Sequence, residues 1–115
     1  MDVDENLTIP GIIENVYLET VHQTAEALKY LHAPTGPLKQ RMLHLAIPFY
    51  ELYQHTRHIP AVAEVMGNDP SKTAELDNWF FSPGYTPDAL RCGIDLFSWY
   101  QKILLESRVI TIERQ

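Results

Sequence analysis

Eight prolines divide this 115-residue chain, and most of them stand where a helix can begin. Proline is favoured at the first helical position, because its φ is preset and its missing N–H would have no partner there. Asp69-Pro70 and Thr86-Pro87 place a side-chain oxygen just ahead of the proline, ready to accept from the free N–H groups of a first turn. Gly36-Pro37 and Thr8-Ile9-Pro10 follow the same logic in weaker form, with Gly11 blurring the second start. The breaks are short turns: Ala33-Pro34-Thr35-Gly36, Gly67-Asn68-Asp69 and Ser82-Pro83-Gly84-Tyr85. This punctuation predicts an all-α fold, a compact bundle of four to five helices in one domain spanning 1–115.

Between the stops, apolar residues recur at helical spacing. Ile9, Ile13, Tyr17, Val21, Leu28 and Leu31 predict one buried stripe over about six turns. Leu38, Met42, Leu45, Phe49 and Leu52 define a second stripe, and Leu43, Ile47 and Tyr50 widen it, which predicts a helix covered on two sides. Pro48 interrupts that helix. It removes the bond to the carbonyl of His44 at a cost of about 3 kcal/mol, so a kink or two stacked shorter helices are expected. A short helix from Pro60 to Met66 should close on Gly67 as a left-handed cap. Further helices are expected from Pro70 to near Phe81 and from Pro87 to near Ser107. The β-branched tail Val109-Ile110-Thr111-Ile112 reads as a short C-terminal extended segment. Such a strand packs as an arm or pairs with the same segment of a second chain, and a homodimer is the expectation.

Net charge narrows the partners. At −6 the chain is a poor match for nucleic acid or an anionic membrane, and neither is expected as a partner. Residues 1–33 hold −5 of that charge, so an acidic arm (1–7) and first helix could steer binding to a basic protein surface. Asp4, Glu5 and Glu14 are the candidate steering groups. The single cysteine, Cys92, excludes an internal disulfide and fits a reducing compartment. With an acidic start and no run of 18 apolar residues, a cytoplasmic location is expected.

Residues 63–76 resemble a helix-turn-helix, with Ala63, Gly67 and a short second helix, which makes a DNA-binding regulator one alternative. Thr73 stands where that motif usually buries Val or Ile, and Glu75 and Asp77 would face phosphates. A second alternative is a small metal-binding protein or enzyme subunit. Glu51, His55 and His58 sit at i, i+4 and i+7 and could share one helix face; His44, His22 and His32 are further possible ligands. Equally, imidazoles near a helix end complement its negative dipole. Cys92 occupies a packing position rather than an electropositive mouth, and phosphate-loop, nucleophile-elbow and zincin motifs do not occur. Neither enzymatic activity nor a cofactor is expected.

Aromatic placement is the strongest anomaly. Seven of the twelve Phe, Trp and Tyr residues fall between Trp79 and Tyr100. Trp79, Phe80 and Phe81 sweep about 200° of a helix, too wide for one buried stripe. Either two neighbours sandwich this segment, or part of it is a protein-binding surface. On the second reading Trp79, Phe81, Tyr85 and Trp99 are the contact candidates. The expected function is therefore non-enzymatic: a regulatory protein that binds and inhibits or sequesters a partner, such as an antiactivator of a transcription factor or an immunity-type inhibitor of a toxin.

Overall fold

A computed structural model of the chain describes residues 9–81 and 84–110, and these form an all-α bundle. Five helices follow in order: α1 (Ile9–His32), α2 (Leu38–Thr56), α3 (Pro60–Gly67), α4 (Pro70–Phe81) and α5 (Pro87–Glu106). The proline logic explains three of the starts. Pro60 and Pro87 stand at the first turn of α3 and α5, and the Thr86 hydroxyl accepts from the Ala89 N–H at 3.0 Å. Asp69 accepts from the Lys72 N–H at 3.2 Å and caps α4.

Pro48 does not split the second segment. α2 runs through it as one helix, with Pro48 itself buried among Leu45, Phe49 and Leu52. Burial of that face supplies what the missing backbone bond does not. Phe49 is fully buried and forms the centre of the core. Rings from α4 (Trp79 at 6.0 Å and Phe80 at 5.0 Å between centroids) and from α5 (Phe97 at 5.3 Å, Tyr100 at 6.2 Å) surround it. The tilted and edge-on arrangements are those that aromatic quadrupoles favour.

The inward stripe of α1 differs from its expected composition. Thr20 and Ala27 are fully buried, whereas Leu28 is 45% exposed. Small residues let α1 approach its neighbours closely, and the Thr20 hydroxyl satisfies itself on the Val16 carbonyl at 2.8 Å. The turn into α2 is tied by the Tyr30 hydroxyl, which donates to the Gly36 carbonyl at 2.8 Å, and Gly36 takes φ +90°.

Two further expectations are corrected. Gly67 is not a left-handed cap. The chain continues with Asn68 in right-handed geometry, and the Val65 and Met66 carbonyls accept from the N–H groups of Asn68 and Asp69 at 3.1 and 3.0 Å. These tight bonds satisfy the helix end, so no left-handed residue is needed. The tail at Val109 and Ile110 is not a strand. Arg108 takes φ +61°, the Val109 N–H donates back to the Leu104 carbonyl (3.1 Å) and the Arg108 N–H to that of Leu105 (3.2 Å). This is a Schellman closure, and it turns Ile110 into the core. Residues 111 and 112 of the expected extended segment lie outside the described residues, as does the whole acidic arm, 1–7.

The α4–α5 junction is packed closely around a glycine. The Trp79 indole lies flat on Gly93, where an added Cβ would stand 2.2 Å from Cζ2, and its Nε1 donates to the Ala89 carbonyl at 2.8 Å. Gly93→Ala should therefore destabilise the protein by about 3 kcal/mol, the upper part of the range for overpacking. Urea unfolding measures it, and the same change in a Trp79→Phe background should cost less. Arg108→Gly should stabilise by about 0.5–1 kcal/mol, because glycine adopts the left-handed cap without strain. Thermal unfolding checks the sign.

Candidate functional site

Packing on Phe49 decides which part of α2 remains outside. Leu43 is 37% and Ile47 62% exposed, so the helix is not covered on both sides as its apolar width suggested. Lys39, Leu43, Ile47 and Glu51 fall at intervals of four along this open face, all accessible to solvent. One flank is aromatic. The half-buried Tyr50 ring meets Phe80 edge-on at 5.1 Å and Phe81 at 5.7 Å, and Phe81 is 69% exposed. At the other end of the flank Tyr85, 46% exposed, lies under the Lys39 ammonium at 5.4 Å from its ring centroid. The opposite flank is a groove between α1 and α2 that Glu19, Gln23 and Glu51 line beside Ile47.

Of the contact candidates, Phe81 and Tyr85 are therefore brought to one surface, and Trp79 and Trp99 are not. Trp79 is 4% exposed and belongs to the core, because its indole both packs on Gly93 and bonds to the Ala89 carbonyl. Trp99 is half-buried against the same core on α5. Glu14 is exposed on α1, about 140° around the helix axis from Glu19, and so points away from the α2 groove. Asp4 and Glu5 lie outside the described residues. Apolar width alone places Leu43, Ile47 and Tyr50 in the core, but only Tyr50 packs against it. The signal that distinguishes them is position: Leu43 and Ile47 share a row with Lys39 and Glu51, on the side of α2 away from Leu45 and Phe49.

The histidine cluster is not assembled. Glu51 Oε2 and His55 Nε2 stand 3.9 Å apart, but α2 ends at Thr56 and His58 sits in the following turn. No group of three His, Cys, Asp or Glu residues is gathered to hold a metal ion among the described residues. In the helix pair α3–α4, the Thr73 hydroxyl donates toward the carbonyls of Met66 (3.0 Å) and Asp69 (3.1 Å), fixing the turn by hydrogen bonds rather than by a buried aliphatic. On α4 the exposed Glu75 and Asp77 lie about 200° apart around the axis, Glu75 toward Cys92 of α5 and Asp77 toward Tyr53 of α2, so neither flank of the helix offers phosphate a purely basic surface. Asp77 also accepts from the Tyr53 hydroxyl at 3.0 Å, and burial together with this carboxylate pushes the Tyr53 phenol up to about 12.

Among the described residues, no helix is long and apolar enough to cross a membrane. Comparison with protein-family models, curated proteins and solved structures finds no match, so the functional reading rests on this chain's own residues.

Cys92 lies at the α4–α5 seam with its Sγ 3.6 Å from Glu75 Oε2. Burial, and then the Glu75 carboxylate, push its thiol above the ordinary value of 9.0. Since the folded-state value is raised, the stability this neutral thiol contributes is present below about pH 9 and declines as pH rises beyond it. Alkylation of Cys92 by iodoacetamide at neutral pH should be slower than that of a free thiol, and Glu75→Gln should accelerate it. A rate unchanged by that substitution would contradict the assigned cause.

Proposed function

We propose that this protein is a non-enzymatic regulatory binding protein, which inhibits or sequesters a protein partner by occupying its surface. The observation that carries this reading is the aromatic flank of α2. A residue as large and apolar as Phe81, 69% exposed beside Tyr50, is not needed by the core and suits an interface anchor. Tyr50 meets the ring edge-on from one side and leaves the rest of it open to a partner. Glu19 and Glu51 near the same face, and the acidic excess of residues 1–33, favour a partner with a basic surface in this proposal. An antiactivator of a transcription factor and an immunity-type inhibitor of a toxin both fit that description.

The test is capture of a partner from the source cell, followed by affinity measurement with the purified pair. Phe81→Ala and Tyr85→Ala remove exposed rings, so both chains should melt at the wild-type temperature. Each should weaken the partner by at least about tenfold, or ~1.4 kcal/mol. Well-folded variants that capture the wild-type set of partners at undiminished affinity would sink the proposal.

A further inference from the structure

The open face of α2 carries an order that is its own complement. Lys39, Leu43, Ile47 and Glu51 form one ridge about 18 Å long, counted as three steps of four residues at 1.5 Å rise. A two-fold axis between Leu43 and Ile47 would set Lys39 against Glu51 of a second copy and Leu43 against Ile47. The same two pairings then recur on the other side of the axis, as an isologous interface requires. Ridges of this spacing interdigitate when helices cross at about −50°, a common geometry for helix pairs.

The surrounding charges extend the pattern. Glu19 lines the groove beside Ile47 together with Glu51, so acidic groups gather toward one end of the ridge. At the other end Lys39 rests over the Tyr85 ring. Among the described residues Glu51 reaches only His55, at 3.9 Å, and about half of each of those two side chains is in solvent. Antiparallel apposition therefore places opposite charge on opposite charge at both ends, while parallel apposition places like on like. Between the ends, Ile47 and Leu43 lose the water that now surrounds them.

We propose that this face is the interface of a homodimer, with a second copy of the chain seated on the Lys39–Leu43–Ile47–Glu51 ridge. The inference goes beyond partner binding through Phe81 and Tyr85 and does not rest on it. Sedimentation equilibrium of the full chain tests it. The wild type is expected to be dimeric, and Ile47→Glu to weaken the dimer at least tenfold. Lys39→Glu alone and Glu51→Lys alone bring like charges together in this register, and each should weaken the dimer by a similar factor. The double reversal, Lys39→Glu with Glu51→Lys, restores both pairings and should recover an affinity near that of the wild type. All four side chains being exposed, the variants should keep the wild-type thermal unfolding profile. A wild-type chain that sediments as a monomer throughout its soluble range overturns the proposal. So does a dimer indifferent to Ile47→Glu, and so does a double reversal no tighter than the single ones.

Discussion

Phe49 has no solvent-exposed surface, and rings from two other helices close on it: Trp79 and Phe80 from α4, Phe97 and Tyr100 from α5. That contact fixes more than the core. Residues two apart on a helix lie about 200° around its axis, so a Phe49 that points inward sends Ile47 outward. Leu43 follows, one turn away on the same side. The open apolar face of α2 is thus the direct geometric consequence of where its aromatic anchor is buried. Pro48, between Phe49 and Ile47, is buried as well, and the helix tolerates it because tertiary contacts hold both flanks.

A core so rich in amphipathic rings must also satisfy their polar ends. Each is met by a partner on another element. Tyr100 and Thr56 join hydroxyls at 2.5 Å, and Thr56 in turn donates to the Leu52 carbonyl. With the Thr56 proton committed there, Tyr100 is the donor in the pair. Burial pushes the Tyr100 phenol well above its ordinary range. Gln101 donates to the Tyr17 hydroxyl at 2.7 Å, fixing α1 against α5, and Trp79 fixes α4 against α5 through Ala89. A hydrogen bond left unmade in such a site costs roughly 1–3 kcal/mol, so sliding any of these helices by one residue is penalised. The aromatic flank of α2 stands on this framework: Phe80 touches Phe49, Tyr50 and Tyr53, and Phe81 continues outward from it.

Helix starts were legible in the sequence because they depend on local chemistry. A capping oxygen and a proline act within one turn, and Thr86-Pro87 and Asp69-Pro70 do so here whatever the rest of the molecule does. What the sequence hid depends on neighbours. Periodicity reports how wide an apolar stripe is, not how much of it another helix covers, so Leu43 and Ile47 looked like core and Leu28 like part of the α1 stripe. Thr20 and Ala27 looked unremarkable, yet they are fully buried residues of α1, small enough to let a neighbour approach. The left-handed residue at the end of α5 is Arg108, a type seldom chosen for that backbone, and the β-branched run after it drew attention to a strand instead. Phe81 and Tyr85 could be named from their crowding, since three adjacent rings cannot share one stripe. Trp79 could not be told from them without knowing that Gly93 leaves room for its indole.

The residues that stabilise the fold are therefore distinct from those proposed here to bind. Burying an aliphatic or aromatic side chain stabilises a fold by about 1.5–3 kcal/mol, and Phe49, Leu45 and Leu52 contribute on that scale. Ile47 and Phe81, mostly in water, contribute little of it, and an isolated chain would fold as well with polar residues in their place. An apolar surface of this kind favours association over solubility, unless charge limits which surfaces can meet. The ridge supplies that limit, with a lysine at one end and a glutamate at the other. Opposed in parallel, two such ridges repel; opposed antiparallel, they attract along their whole length. In the proposed dimer the charges would select the orientation, and the exposed aliphatic pair, once covered, would supply the affinity. Phe81 and Tyr85, set to one side of the row, lie outside that pairing and stay free for the protein partner proposed above.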